Sequence, residues 1–406
     1  MNSTWKSRAA EDDTCESRNC VELFESANRF YCAMSLPGIE QLGILAMKVF
    51  TPRNLVQASF QVMQQAAAIL KLVTLERDGQ IAWDEFQNKL QAFYLFEHPD
   101  MALYISSDEM PSLPELVHTA LQLEPYLAVW TTEGLGHFYT DLHLRRGKPF
   151  QALLCDDRAA NLPAASLTPL HAGMGLSLAE WLLEAADKKN HSDSRIPLQT
   201  FIGLCRRNSR QEYVGATYEA LGLAARNLYP QLMASVDVGL SQIDEEILAY
   251  FWHGVGRAIY FAPTNFLPYR SAPWKGWEMC LNEPPHKLGK HNAVAGFAWA
   301  LTLVNLRQPE IMASFLKHHG RQLTESDAFA NGVGSAIVIW RDSAPNDQFL
   351  NAFHRYQPDA SLADLWDRYV KQSCDRALQY DSTVKTKNGI GGLFRYRPSA
   401  EHYSSN

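Results

Sequence analysis

The sequence predicts an all-α protein: about six helical-hairpin repeats forming a solenoid or an α/α toroid, behind an N-terminal helical segment. Three observations carry this. A glycine-centred phrase recurs six times at roughly 40-residue intervals, the period of helix-pair repeats. Its occurrences are EGLGHFYTDL from Glu133, HAGMGLSLAEWL from His171, YEALGLAARNL from Tyr218, HGVGRAIYF from His253, HNAVAGFAWAL from His291 and NGVGSAIVIW from Asn331. Apolar residues elsewhere follow helical spacing, as at Leu55, Ala58, Val62, Ala66 and Ile69. The glycines themselves, Gly136, Gly175, Gly222, Gly256, Gly296 and Gly334, need a reason inside helices, because glycine costs about 1 kcal/mol there relative to alanine. Close helix approach and a sharp turn into the helix are both available.

In chain order, residues 1–20 form a polar, flexible lead and 21–120 an N-terminal helical segment. Residues 121–345 form the repeat domain, 346–384 are C-terminal helices packed on it, and 385–406 form a flexible, basic, glycine-rich tail. Within the lead segment, Thr51, Pro52 and Asn54 mark a helix start, and a second helix is expected over Trp83–Phe96. Between them, TLERDGQIAWDE from Thr74 to Glu85 has an EF-hand's Gly79, Ile81 and Glu85 at the sixth, eighth and twelfth places. Thr74 stands where an Asp is expected, so an ordinary turn between helices competes with calcium binding.

Composition narrows function by exclusion. The 406 residues carry 37 Lys and Arg against 44 Asp and Glu, a net charge of −7, which disfavours a nucleic-acid partner. The longest apolar run, Ala293 to Asn305, is too short to span a bilayer and reads as a buried helix. Seven scattered cysteines without a CxxC pair, and no signal-like N-terminus, lead us to expect a cytoplasmic protein with reduced thiols. There is no phosphate loop, nucleophile elbow or HExxH, and no metal site is assigned.

The residues just ahead of the glycines are ionisable or polar: Glu133, His171, Glu219, His253 and His291. Helices stacked in register would place them in one row, where carboxylates and imidazoles can serve as acids, bases or ligands. Helix capping and packing are the alternative. The fourth unit, His253 to Met279, adds Arg257, Tyr260, Phe261, Phe266, Trp274 and Trp277 among Pro263, Pro268 and Pro273. Such proline density interrupts a helix, so an aromatic segment lining a substrate pocket is expected.

YEALGLAARNLYP, HGVGRAIYF and HNAVAGFAWAL resemble a bacterial family of unknown function found in enediyne polyketide biosynthesis clusters. Gly256, Arg257, Tyr260 and Phe261 fit its Gly-Arg-x-x-[Tyr or Trp]-Phe phrase, whereas His253 stands where an acidic residue is expected. The resemblance covers roughly residues 125–340 and implies an association with natural-product assembly. A remoter likeness is to α/α-toroid enzymes, without the cysteine ligands of the zinc-dependent lanthionine cyclases. The functional expectation is a biosynthetic enzyme or accessory protein acting on a hydrophobic, polyketide-like small molecule. The alternative is a non-catalytic repeat scaffold for a protein partner.

Overall fold

The computed structural model describes residues 52–103, 112–145, 152–155, 159, 161–188, 196–266, 272–345, 347–387 and 389–398. The polar lead 1–20, the three cysteines within it and up to Cys32, and the segment's first part lie outside these residues. The described elements are helical throughout, with α-helices, short 3-10 turns and one π-helical turn at Asp367–Lys371, and no strand among them.

The chain divides into two compact units, 1–61 and 62–406. Of the first, only residues 52–61 are described, and they belong to helix α1 (Pro52–Val73). The second unit holds α2 (Arg77–Glu97), α3 (Leu113–Ala120), α4 (Pro125–Arg145) and α5 (Ala164–Asp187). It continues with α6 (Leu198–Asn208), α7 (Val214–Leu228), α8 (Met233–Ser241), α9 (Glu245–Phe261) and α10 (Ala272–Asn282). Next come α11 (Lys287–Val304), α12 (Pro309–His319), α13 (Ala328–Ser343), α14 (Phe349–Arg355) and α15 (Gln372–Lys387).

Local chemistry sets several starts. Glu115 accepts the backbone N–H of Ser112 at 2.8 Å ahead of α3, half of a capping box. Asp244 accepts the Glu246 N–H at 2.8 Å to open α9, and His286 Nδ1 accepts the Gly289 N–H at 2.9 Å to open α11. α2 begins at Arg77, earlier than the Trp83 expected, so Gly79 falls inside its first turn. Helix therefore replaces the last nine of the twelve residues of the calcium-type loop. Asp78 pairs with Lys317 and His318, and Glu85 with Lys89, so these carboxylates are spent on ion pairs.

Each glycine phrase is a helix. α4 packs on α5, α5 on α7, α7 on α9, α9 on α11 and α11 on α13, and α13 also contacts α5. The intervening α6 and α10 lie against the glycine helices that flank them, and α8 lies against α9. From Ile247 to Tyr260 on α9 and from Asn292 to Val304 on α11 every residue is buried, so these helices are enclosed on all sides and central. The run Ala293–Asn305 accounts for most of that buried stretch of α11.

The glycines mark crossings of notable closeness, and they do so reciprocally. A Cβ on Gly136 would overlap the Leu170 carbonyl and one on Gly173 the Glu133 carbonyl. Likewise Gly222 faces Phe251 O and Gly254 faces Glu219 O, while Gly256 faces Ala293 O and Gly296 faces His253 O. In every pair each glycine lies on the carbonyl three residues ahead of its partner glycine. Main chain thus meets main chain, with no side chain between, a spacing at which weak Cα–H···O contacts form. Close approach, not a turn, is the reason for five of the six repeated glycines; at Gly334 a Cβ would meet only ordinary contact, and Gly332 makes the close crossing of that phrase, on the Ala295 carbonyl.

α2 packs on α4 and α12 within the second unit. The expected flexible tail 385–406 is in part structured: Ile390 to Phe394 are all buried, in a 3-10 turn against α7, α9 and α13. The apolar Ile-Gly-Gly-Leu-Phe run inside the basic tail gives the reason, since it can bury its side chains in the core.

Candidate functional site

α9 presents His253, Arg257 and Tyr260 at i, i+4 and i+7, one stripe of a helix. All three are buried. Facing them are Glu133 of α4, Glu219 of α7 and Trp299 of α11, also buried. The glycine crossings bring these together: the carbonyls of Glu133, Glu219 and His253 are those on which Gly173, Gly254 and Gly296 rest.

The polar groups form one connected cluster. His253 Nδ1 lies 3.2 Å from Glu219 Oε1, which assigns the Nδ1 proton to that hydrogen bond. Arg257 Nη1 donates to Glu219 Oε2 at 3.4 Å, and Arg257 Nη2 donates to Glu133 Oε1. The Arg257 guanidinium stands 5.0 Å from the Trp299 ring. Phe394 covers the other side, 5.7 Å from Trp299 and 6.4 Å from His253 between ring centres. Burial pushes the Glu133 carboxyl above its usual range and the Arg257 charge opposes that shift.

Three nitrogens of this cluster, His253 Nε2, Arg257 Nε and Trp299 Nε1, are buried without a hydrogen-bond partner among the described residues. An unpaired buried polar atom costs about 1–3 kcal/mol, so three in one place need an explanation. The arrangement is a carboxylate-held imidazole with a free Nε2, which can accept or deliver a proton.

A second buried network lies at the Tyr260 end of the stripe. Lys89 Nζ pairs with Glu85 at 3.0 Å, donates to Asn265 O at 2.8 Å and sits 4.0 Å from the Tyr260 ring. Asn305 donates to the Tyr260 hydroxyl at 2.7 Å and accepts from Asn88 at 3.0 Å. Burial pulls the Lys89 ammonium below its usual range, opposed by Glu85. Neither Lys89 nor Trp299 nor Phe394 stands out in the sequence. Glu85 and Lys89 at i,i+4 were a usable signal, as was Trp299 three residues past Gly296.

The remaining expected residues are dispersed. None of the five acid or imidazole candidates is a helix cap; all sit inside helices. His171 places Nδ1 2.6 Å from Leu167 O, and its Nε2 accepts the Arg210 N–H at 3.1 Å, with the ring stacked on Tyr213 at 5.0 Å. Both nitrogens are engaged, which fixes the neutral tautomer, and burial drops this imidazole to about 4. His291 is half-buried and edge-on to Tyr396 at 5.2 Å. Phe261 is half-buried against Tyr260 at 5.2 Å. Trp277 is buried and donates to Gln322 Oε1 at 2.9 Å. The side chains of Phe266 and Trp274 lie outside the described residues.

His171 yields a pH prediction. Its ring binds a proton near 6.5 when unfolded but near 4 when folded, so the unfolded chain takes up protons first as pH falls. Stability is full above pH 6.5 and declines from there to pH 4, by up to roughly 3 kcal/mol at 1.36 kcal/mol per unit. Urea unfolding of the wild type and His171→Gln across this range measures it. The expected outcome is a flatter profile in the variant; equal slopes would contradict the assignment.

Among the described residues no helix is long and apolar enough to cross a membrane, and no group of three or more His, Cys, Asp or Glu could hold a metal ion. Compared with known proteins, the chain matches no family model, no curated protein and no solved structure.

Proposed function

We propose that this chain is a cytoplasmic enzyme of natural-product assembly that acts on a hydrophobic, polyketide-like intermediate, with His253 as its proton-transfer group. The observation that carries the reading is the free Nε2 of a buried imidazole whose Nδ1 faces the Glu219 carboxylate. Glu219 fixes the tautomer and meets the positive charge that develops when Nε2 takes a proton. Arg257 ties Glu219 to Glu133 and keeps the carboxylate from turning away. Trp299, Phe394 and Tyr260 make the surroundings apolar, which suits a hydrophobic substrate. The likeness of HGVGRAIYF and its companion phrases to the enediyne-cluster family supports the pathway class.

The same reading treats the glycine helices as units of a helical-hairpin array that closes on itself. The contact of α13 with α5, and the Thr168 hydrogen bond to Asp342 at 2.8 Å, support closure.

His253→Gln and Glu219→Gln test the chemistry. Circular dichroism establishes folding, and product is measured in cells carrying each variant in place of the wild type. His253→Gln is expected to lower product formation at least about 100-fold, the scale of general acid–base catalysis. Unchanged product from folded variants sinks the reading. One observation favours the alternative, a non-catalytic repeat scaffold for a protein partner: Val62, Ile69, Leu72, Val73 and Leu75, on α1 and just after it, are exposed. That scaffold is indifferent to His253→Gln.

A further inference from the structure

The three unpartnered nitrogens, His253 Nε2, Arg257 Nε and Trp299 Nε1, belong to side chains only 1%, 4% and 2% exposed. They are also neighbours. His253 and Arg257 lie one helical turn apart on α9. Both stand against Trp299, the His253 ring at 6.3 Å between ring centres and the guanidinium at 5.0 Å.

What each nitrogen can bond is fixed by its other contacts. Glu219 holds the Nδ1 proton of His253, so Nε2 is an acceptor. Arg257 gives Nη1 to Glu219 and Nη2 to Glu133, which leaves its Nε–H as a donor. The Trp299 indole N–H can only donate. A partner for all three must therefore donate one hydrogen bond and accept two. A carbonyl or carboxylate oxygen leaves Nε2 unpaired, and an ammonium leaves both N–H groups unpaired. A hydroxyl oxygen meets all three.

The surroundings decide how large that hydroxyl compound can be. α7, α9 and α11 meet main chain on main chain at Gly222, Gly254, Gly256 and Gly296. Phe394 lies against both His253 and Trp299, and its segment is packed as tightly. A Cβ on Gly215 would overlap the Gly391 carbonyl, and Ile390–Phe394 are all buried. Such surroundings suit the smallest hydroxyl compound, water. Internal waters occupy places where two to four otherwise unpaired polar groups converge, and typically make about three hydrogen bonds.

We propose that His253 Nε2, Arg257 Nε and Trp299 Nε1 together bind one internal water molecule, and that this water is the molecule with which His253 exchanges its proton. The water donates to Nε2 and accepts from the other two nitrogens. The site stands on its own geometry, while its use rests on the proton-transfer reading. The exchange is balanced: the water's O–H bond breaks as Nε2–H forms. Glu219 meets the imidazolium, and the N–H groups of Arg257 and Trp299 meet the hydroxide. The reverse step restores both.

Nuclear magnetic resonance of the full chain, nitrogen-15-labelled in histidine and tryptophan, tests this. The Trp299 indole N–H is expected to show a nuclear Overhauser cross-peak to water, with the sign of a molecule that tumbles with the protein. Its loss in Trp299→Phe assigns it. His253 Nε2 is expected upfield of an unbonded imidazole nitrogen, and to move downfield by several ppm in folded Trp299→Phe, where the water loses one anchor. Product formation by that variant is expected to fall at least tenfold. A wild-type Trp299 indole without the cross-peak overturns the water site, and so does an Nε2 resonance at the unbonded position or unmoved in the folded variant. Wild-type product from Trp299→Phe overturns the use of the water. If the cross-peak is present and folded His253→Gln still makes product, the site holds and the proton-transfer reading is what fails.

Discussion

Arg257→Met should destabilise the protein by about 3–5 kcal/mol, the cost of breaking a buried ion pair by removing one partner. Arg257 is the cation that pairs with both Glu133 and Glu219, and all three are buried. Methionine fills much of the arginine stem's volume, so the loss reads the charge and not a cavity. The deficit should depend on pH in a defined direction. Glu133, already pushed up by burial, moves further up without Arg257, and a carboxylate with a raised folded pKa loses stability as pH rises through that value. The deficit is therefore largest at neutral pH and shrinks toward pH 4–5. Adding Glu133→Gln and Glu219→Gln to Arg257→Met should recover part of the loss at neutral pH. Guanidinium unfolding at pH 5 and 7 measures both; a deficit below about 1 kcal/mol at pH 7 would show that the cluster contributes little.

Gly254→Ala should cost about 3 kcal/mol or more, at the upper end of overpacking, even though alanine is the better helix former. The new methyl would overlap the Glu219 carbonyl, which is backbone and cannot swing aside. Because that carbonyl belongs to a residue of the buried cluster, separation of α7 from α9 should also lengthen the Glu219–His253 contact, visible as a changed His253 imidazole resonance. Gly203→Ala is the matched control. It lies half-buried on α6, where a Cβ would meet only the flexible tip of Arg207 at 3.2 Å. There the substitution should be neutral or stabilising by up to about 1 kcal/mol. If both variants melt alike, close approach is not what the repeated glycines provide.

The all-helical character and the glycine helices were legible because glycine at a fixed period is costly unless something compensates, and that cost shows in the residues alone. Glu133, Glu219, His253 and Arg257 were legible for the same reason: they sit at or next to the crossings that the glycines mark. His171 illustrates the limit. Its phrase is like the others, but whether an imidazole faces carboxylates or a backbone carbonyl depends on neighbours such as Leu167, Arg210 and Tyr213, which no spacing within the phrase encodes. Trp299 reads in sequence as one more core aromatic. Phe394 was hidden by its setting, since a short apolar run inside a basic, glycine-rich stretch has the composition of a flexible tail. The early start of α2 at Arg77 reflects the tertiary ion pairs of Asp78 with Lys317 and His318, which outweigh the turn tendency of Asp-Gly.

The reciprocal contacts of glycine with main-chain carbonyls have a consequence for how the interior can vary. Where side chains set the distance between two helices, a change of lining residue moves the helices and alters every neighbour. Here the spacing of α4 and α5, of α7 and α9, and of α9 and α11 is gauged by the backbones themselves. The side chains at 133, 219 and 253 project from a frame whose dimensions they do not determine. Such a frame lets the lining be rewritten, acid for imidazole or polar for apolar, while the distances across it persist. A family built on it could diversify its chemistry one inward residue at a time, with the glycines as the part that stays.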